Sequence, residues 1–339
     1  MQFWLKQMKV QLLLKNKKLE SKVRKILAGI NLIETRDKLK DFFIIDSALE
    51  IYDIQDLLKQ KKPILRLIKK GKEYKKLEFN YPEFYIYQRF YDTDNLDYVI
   101  KKFADHLKFQ QIRKGKIIVI DGGDGSGKKT QSDLLVEYFK IKGEKVKLYD
   151  FPQYFGSIYG ETIARFLNKE FGELDQISPE IISIVYAQDR QTVAEEIRQL
   201  LLQDTIIICN RYTSSSLAFQ TVRKPPDQQM KFINWIIDLE YKTNLLPLED
   251  LTIYLDVKTE TSQKLIQKKK KRDYLKKQGY DLTEELTDYQ RKTRKMYLYL
   301  CNLFRHWKRI KCIENNKLKS IKEVHQAIVD CVNSNLKLH

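Results

Sequence analysis

Residues 117–131 read IIVIDGGDGSGKKTQ, and this stretch decides the fold of the longer part of the chain. An apolar run that is typical of a buried strand ends at Asp121, and Gly122, four further residues, Gly127 and Lys128 follow it. Glycines let the backbone wrap a phosphate group, so that N–H groups and the N-terminus of the next helix point at it. The stretch therefore predicts a phosphate-binding loop between a strand and a helix.

This loop departs from the usual pattern at one position. Ser or Thr usually follows the motif lysine because its hydroxyl group ligates Mg²⁺, but Lys129 stands there. An ammonium group can only donate hydrogen bonds, and it repels a cation. Thr130 is a candidate substitute, although it would face another direction on the first helical turn. The strand TIIICN ends in Asn210, where an acid would usually complete the site, so both departures affect the same ion.

From Lys116 onward, short β-rich runs alternate with longer helical patterns, which indicates a parallel sheet covered by helices. The strand candidates are KIIVID, KVKLYD, TIIICN, LTIYLD and RIKCIE. Helices are predicted to begin near residues 128, 158, 178, 227, 262, 284 and 320. We therefore expect residues 113–339 to form an α/β domain of the P-loop NTPase type, with a five-stranded parallel sheet flanked by helices.

Residues 1–112 are predicted to form a separate, smaller α+β domain. LESKVRKILAGINLI and DTDNLDYVIKKFADHL have helical patterns, whereas KKLEFNYPEFYIYQRFY is aromatic and β-like. We find neither an internal repeat nor a catalytic motif in this segment, so its function is not predicted.

The net charge of +18 is placed unevenly, because residues 1–114 carry 26 basic and 15 acidic residues. Such charge suits a nucleic-acid partner, but an overall bias towards Lys, Ile, Asn and Tyr explains it too. The biased composition is the preferred interpretation, since no nucleic-acid-binding motif accompanies the charge.

The four cysteines form neither a CxxC pair nor a cluster with histidines. This argues against a structural zinc site and is typical of thiols that stay reduced. Lys6, Lys9 and Lys15 interrupt the apolar runs near the N-terminus, which argues against a signal peptide or a membrane span of about 20 residues. We therefore expect a cytoplasmic protein.

Over residues 116–335 the chain resembles the thymidylate kinase family of P-loop nucleoside monophosphate kinases. DGGDGSGKKTQ, YAQDR, NRYTSSSLAFQ and KKKKRDYLKKQGYDLTEE carry the resemblance through their order and spacing. It implies transfer of the γ-phosphate of ATP to dTMP to give dTDP and ADP, with Mg²⁺ entering together with ATP, and a homodimer. The residues it implies for ATP binding are Gly122, Gly125, Ser126, Gly127, Lys128, Lys129 and Thr130.

The same resemblance implies a binding site for dTMP. Asp124 would hold the sugar 3′-hydroxyl, Tyr186 would stack on the thymine ring, and Arg190 would donate to a base carbonyl. Arg211 would contact the acceptor phosphate and the transferring group. The other candidates line the base pocket, with Phe219 near C2′, and they are Phe151, Ser215, Ser216, Phe219 and Gln220.

Residues 268–285 correspond to the lid of the family, and within them Arg272 is the candidate that closes onto the phosphates. The expected catalytic residues are thus Lys128, Arg211 and Arg272. Tyr154 stands where many relatives carry a phosphate-binding arginine, so acceptor binding would depend more on Arg211. Asn210 would contact Mg²⁺ through water, and Lys129 would supply part of the positive charge.

Two alternatives stay open at this point. One is a kinase for another acceptor, such as a deoxynucleoside or dUMP. The other is a catalytically weak or inactive nucleotide-binding regulator whose N-terminal domain contacts nucleic acid. Lys129 and Asn210 favour the regulator, whereas the joint presence of Lys128, Asp124 and Arg211 favours an enzyme.

Overall fold

The computed structural model describes residues 9–29, 33–34, 42–46, 57, 59–60, 62–71, 86–92, 94–267, 287–315 and 317–336. Internal contacts divide the chain into two compact units, residues 1–112 and residues 113–339, and each is described by itself. The lid expected at 268–285, with Arg272, lies outside the described residues.

The described part of the N-terminal unit contains helices and strands, and its strands form a parallel sheet in the order β2-β1-β3-β4-β5. The strands are β1 (Lys9–Leu13), β2 (Ile33–Glu34), β3 (Phe42–Asp46), β4 (Ile64–Lys69) and β5 (Ile86–Tyr91). The helices are α1 (Lys17–Gly29) and α2 (Leu96–Ile112). A mixture of helices and strands was expected here, whereas the parallel arrangement was not.

Local signals explain where α1 begins and which face it buries. The Asn16 side chain accepts hydrogen bonds from the backbone N–H groups of Lys18 and Leu19, both at 3.1 Å, which caps the helix. Leu19, Val23 and Leu27 follow at intervals of four residues and are all buried.

The C-terminal unit contains the expected five-stranded parallel sheet, in the order β10-β9-β6-β8-β7. Its strands are β6 (Ile117–Gly122), β7 (Val146–Asp150), β8 (Ile206–Asn210), β9 (Leu251–Asp256) and β10 (Trp307–Lys311). Every residue of β6, β8 and β9 is buried, as expected for central strands covered on both faces. The predicted strand RIKCIE is divided between two strands. Its first residues belong to β10, whereas its last two form β11 (Ile313–Glu314), which pairs with β12 (Lys317–Leu318) in a separate antiparallel hairpin.

Nine α-helices are described in this unit, and seven of them begin within three residues of the predicted positions. They are α3 (Lys128–Ile141), α4 (Ile158–Leu167), α5 (Pro179–Gln191), α6 (Ala194–Leu202), α7 (Thr213–Phe219), α8 (Pro226–Ile237), α9 (Thr259–Gln267), α10 (Thr287–Leu303) and α11 (Ile321–Asn335). The sequence did not predict α6 and α7. Ser178 caps α5 and a capping box of Ser320 and Glu323 begins α11, which explains why those two starts were readable.

The core packs α3 and α11 against one face of the sheet. Ile120, Leu135, Phe139, Ile253 and Ile328 belong to one buried cluster. Since all five strands are parallel, their carboxyl ends share one edge, which is where sheets of this class bind ligands. Among the described helices, none combines the length and the apolar character that a bilayer crossing requires.

Candidate active site

The loop between β6 and α3 has a backbone that can surround a phosphate group. Three glycines of the loop have positive φ values that residues with a Cβ atom rarely adopt, namely 151° at Gly122, 76° at Gly125 and 88° at Gly127. A Cβ atom on Gly122 would lie 2.8 Å from the carbonyl oxygen of Leu255, so close packing also requires glycine there. Gly127 directly precedes α3 and has no side chain to cap it, so the N–H groups of the first turn are directed at the loop.

The two consecutive lysines of the loop have different surroundings. Lys128 is 7% exposed, and its Nζ donates to the carbonyl oxygen of Gly123 at 2.8 Å, which places the ammonium group across the loop. The Lys129 side chain is 58% exposed and forms an ion pair with Asp133, with 2.8 Å between Nζ and Oδ1. Thr130 is exposed as well. The loop therefore encloses Lys128, whereas Lys129 and Thr130 are open to solvent.

An ion pair between Arg211 and Asp124 joins the loop to the end of β8. Nη2 of Arg211 donates to Oδ1 of Asp124, and Nη1 donates to the Ser215 hydroxyl at 3.3 Å. The guanidinium carbon lies 5.3 Å from the centre of the Phe219 ring. The structure thus brings together four of the residues that the sequence assigned to dTMP. Tyr154 acts electrostatically on the same guanidinium group.

The backbone and the charge of Arg211 are both unusual. Its φ of 66° lies in the left-handed region, which is uncommon without glycine and recurs at functional sites. Its backbone N–H donates to the carbonyl oxygen of Ile120 at 3.0 Å, which fixes this turn against β6. Burial alone would lower the pKa of Arg211, but Asp124 and Asp121 raise it well above its ordinary value, so the group stays charged.

The buried residue Asp121, near the end of β6, was not among the predicted site residues. This fully buried carboxylate accepts hydrogen bonds from the hydroxyl groups of Ser215 at 2.9 Å and Tyr297 at 2.8 Å, and from that of Ser214. It also accepts from the N–H of Gly122 at 2.7 Å. Asp121 therefore connects the loop with α7 and α10. An acid that ends an apolar strand was the signal in the sequence.

Arg190 lies in a buried network rather than at an open surface. It is 2% exposed and forms an ion pair with Glu240, and its Nη2 also donates to the Ser216 hydroxyl at 2.8 Å. Its Nη1 donates to the carbonyl oxygen of Tyr212 at 3.4 Å. Burial alone would lower the pKa of Arg190, but the Glu240 carboxylate outweighs burial and raises it. The role of Arg190 at the base stays a prediction.

The sequence did not predict Glu240 as a partner of Arg190. It is 1% exposed and lies in a π-helix, Asp238–Thr243, an element that is rare and often marks functional sites. A single acid 50 residues after YAQDR carries no local signal, so only the folded chain reveals its pairing with Arg190.

The remaining candidates for the base pocket fall into two groups. Arg223, which was not predicted, donates to Oε1 of Gln220 at 2.7 Å and acts electrostatically on Tyr186, so these three residues are neighbours. Phe151 is 2% exposed, and its ring stacks on Tyr149 with 6.2 Å between the ring centres. Phe151 therefore lies within the core next to β7.

Asn210 and Asp150 end two neighbouring strands and touch each other. Nδ2 of Asn210 donates to Oδ1 of Asp150 at 2.7 Å. Oδ1 of Asn210 is buried and has no hydrogen-bond partner within the described part of the chain, so a buried oxygen suited to Mg²⁺ is present. The Asp150 side chain is exposed on one side, but protein atoms surround its carboxyl group on the other. This partial burial raises the pKa of Asp150, although Lys129, Asn210, Arg211 and Lys128 oppose the rise.

Two helices that flank residues 268–286 also reach Asp124. Nε2 of Gln290, in α10, lies 3.4 Å from Oδ2 of Asp124. The hydroxyl group of Ser262, in α9, donates to the backbone carbonyl of Asp124. The elements on both sides of the expected lid therefore contact the residue that was assigned to the acceptor sugar.

Comparisons with known proteins show which family the chain resembles. The family model for thymidylate kinase matches residues 120–328. A probable thymidylate kinase from Pyrococcus horikoshii is 34% identical over 231 residues, which cover 66% of this chain and 98% of the relative. A thymidylate kinase from Bacillus cytotoxicus is 30% identical over 197 residues, which cover 57% of this chain and 86% of the relative.

A solved structure has the same fold. The thymidylate kinase from Candida albicans matches with a TM-score of 0.51 at 24% identity, over 66% of this chain and 92% of that chain. The fold, the site and the relatives lead to one conclusion, which is that this chain belongs to the thymidylate kinase family.

Proposed function

We propose that the protein transfers the γ-phosphoryl group of ATP to dTMP and thereby forms ADP and dTDP. The observation that carries this proposal is the contact of Arg211 with Asp124, because it brings a cation for phosphate next to a carboxylate for a sugar hydroxyl at the phosphate-binding loop. Membership of the thymidylate kinase family supports the same reaction.

ATP would bind along the loop between β6 and α3. The loop N–H groups and the N-terminus of α3 would hold the β-phosphate, as in other loops of this kind. Lys128 donates to a carbonyl group of the loop in the structure. We infer that it exchanges this bond for oxygens of the β- and γ-phosphates, whose negative charge makes them stronger acceptors.

The acceptor would bind next to the loop through two contacts. Asp124 would accept a hydrogen bond from the 3′-hydroxyl, and Arg211 would donate to the acceptor phosphate and to the transferring group. A fixed cation there stabilises the charge that develops in the transition state. Tyr186, Gln220 and Ser216 would contact the base, and Phe219 would lie near C2′.

Mg²⁺ would enter with ATP, and its chemical contribution is to neutralise charge on the β- and γ-phosphate oxygens. The residues present are compatible with the ion, because the buried Oδ1 of Asn210 has no other partner among the described residues. We propose that Asn210 contacts the ion through water.

The decisive experiment is a panel of acceptors, namely dTMP, dUMP, thymidine and the ribonucleotide TMP, with release of ADP as the readout. We expect dTMP to be the preferred acceptor of the full-length protein. A preference for thymidine or dUMP would replace dTMP as the substrate, and tight ATP binding without turnover would identify a regulator. A protein beginning at Ile112 would show whether the reaction needs the N-terminal unit, since residues 113–339 form a compact unit of their own.

Replacing Lys129 tests how the site manages without the usual hydroxyl group. We expect Lys129→Thr to keep or raise turnover and to lower the Mg²⁺ concentration that turnover requires, because the new hydroxyl can ligate the ion. Stability should change by less than about 0.5 kcal/mol, because the Lys129–Asp133 pair is exposed.

The measurement is a Mg²⁺ titration of dTDP formation, with Lys140→Thr at the far end of α3 as the control. A large loss of turnover with an unchanged Mg²⁺ requirement would contradict the expected role of this position.

We also propose that the protein forms a homodimer through the apolar surface of α4 and α5, which pack against each other. Ile158 on α4 is 73% exposed, and Ile181 on α5 is 62% exposed, one helical turn from Ile184, which is exposed as well. Large apolar side chains that are exposed on neighbouring helices are typical of an interface. We expect Ile181→Glu/Ile184→Glu to convert a dimer into a monomer in sedimentation velocity, whereas Ile141→Glu on α3 should not.

The cytoplasmic location stays a prediction from the sequence, and the contact of the N-terminal unit with nucleic acid stays the less favoured alternative. The second would be supported by salt-sensitive retention of the full-length protein on DNA or RNA.

A further inference from the structure

We propose that Asp150 supplies the carboxylate that binds the Mg²⁺ ion of the ATP complex, and that Asn210 holds this carboxylate in place. This inference rests on the proposed function. Asp150 was not among the candidate residues, because the acid of such a site was expected at the end of β8, where Asn210 stands.

The position of Asp150 relative to the loop follows from the register of the sheet. Asp150 is the register partner of Asn210, and Asn210 is the register partner of Ile120, so the three form one row across β7, β8 and β6. Ile120 lies two residues before Gly122, the first glycine of the loop. Neighbouring strands are about 4.8 Å apart, so Asp150 is displaced from the position of Asn210 by about one strand spacing. The acid therefore lies at the same edge of the sheet as the loop, one strand farther from it than Asn210.

The contact between the two side chains uses Nδ2 of Asn210 and Oδ1 of Asp150, so it does not occupy Oδ1 of Asn210 or Oδ2 of Asp150. Asn210 donates through Nδ2 to Asp150, so its oxygen points away from that bond. Asn210 is 7% exposed, and its Oδ1 has no partner among the described residues. The Asp150 side chain remains accessible from solvent. Mg²⁺ is usually held by one or two carboxylates together with phosphate oxygens and water, so a carboxylate beside a buried amide oxygen suits it.

The cations that act electrostatically on Asp150 are those expected to bind the phosphates of the two substrates. Lys128, which crosses the loop, acts electrostatically on Asp150, and so do Lys129 and Arg211. These are the cations that were assigned to the donor and acceptor phosphates. Asp150 also offsets the charge of Lys129, which would otherwise repel a divalent ion. The lysine that replaces the usual hydroxyl and the asparagine that replaces the usual acid thus share one compensating carboxylate.

The experiment measures metal binding directly and uses the full-length protein. Mn²⁺ replaces Mg²⁺ because electron paramagnetic resonance detects it, and a non-hydrolysable ATP analogue fills the donor site. We expect Asp150→Asn to weaken Mn²⁺ binding to the protein–analogue complex by about tenfold or more. Binding of the metal-free analogue should not weaken, since neutral Asn fits the same exposed position and removes a negative charge next to the phosphates.

Two further variants make the result decisive. Asp150→Asn/Asn210→Asp moves the carboxylate to the end of β8 and should recover most of the lost Mn²⁺ affinity. Asp133→Asn removes a different carboxylate near Lys129 and should leave the affinity unchanged. Unchanged Mn²⁺ binding in Asp150→Asn, an equal loss in Asp133→Asn, or no recovery in the exchanged variant would each overturn the proposal.

Folding and function are checked separately from metal binding. Thermal unfolding of each variant shows whether a loss of affinity comes from a loss of structure. Because the Mn²⁺ measurement needs neither dTMP nor turnover, its failure differs from a failure of the acceptor panel. An effect of Asp150→Asn on Mn²⁺ in a protein that does not phosphorylate dTMP would support the metal site alone.

Discussion

Arg211→Ala is expected to lower kcat for dTDP formation by about 10³-fold, which is the scale of a transition-state arginine in phosphoryl transfer. Arg211 keeps its charge in a partly buried site and already touches Asp124 and Ser215, so it is held where charge would develop. The KM for dTMP should rise too, because the acceptor phosphate loses the same donor. Steady-state kinetics with ATP and dTMP measure both effects.

Two comparisons show whether this loss is specific to the guanidinium group. Arg211→Lys keeps the charge but not the forked donors, so its activity should fall between that of the wild type and that of the alanine variant. Arg165→Ala removes an arginine whose side chain is 56% exposed and paired with Glu170, and it should stay within about twofold of wild type. An Arg211→Ala enzyme within tenfold of wild type would remove Arg211 from the catalytic residues.

Glu240→Ala is expected to lower the free energy of unfolding by about 3 to 5 kcal/mol, because it leaves Arg190 buried without its counter-ion. The side chains of this pair are 2% and 1% exposed, so water cannot replace the lost carboxylate without a rearrangement. Urea unfolding followed by circular dichroism measures the loss.

Replacing both Arg190 and Glu240 by apolar residues shows whether stability requires the two charges themselves or only that neither charge is left unpaired. Arg190→Met/Glu240→Leu should recover most of the stability, because no charge is then left buried. Glu170→Ala, which breaks an exposed pair with Arg165, should cost less than about 1 kcal/mol. If Glu240→Ala costs no more than this control, Glu240 does not stabilise Arg190.

The sequence predicted the C-terminal fold well because its signals are local. Isoleucine-rich runs marked the strands that are buried on both faces, and capping residues such as Ser178 and Ser320 marked the helix starts. The short helix α7 was missed because its serines have low helix propensity and are held by tertiary contacts with Asp121. The parallel order of the N-terminal strands had no local signal either.

The site shows the same division between local and long-range information. The glycines, Lys128 and Asp124 were readable because a phosphate loop is contiguous in sequence. The partners Glu240 and Asp150 were not, because each meets its neighbour only through the fold. Whether a residue such as Arg190 is open to a ligand or committed to an internal partner depends on these long-range contacts.

The pairing of Arg211 with Asp124 has a consequence for discrimination between ligands. A small anion such as sulfate must compete with Asp124 for the guanidinium group, and it carries no hydrogen-bond donor for that carboxylate. A deoxynucleotide brings a phosphate for the arginine and a hydroxyl donor for the aspartate, so both partners exchange one bond for another. The two charges therefore neutralise each other, and ligand binding is favourable only for a molecule that carries both groups at the correct separation.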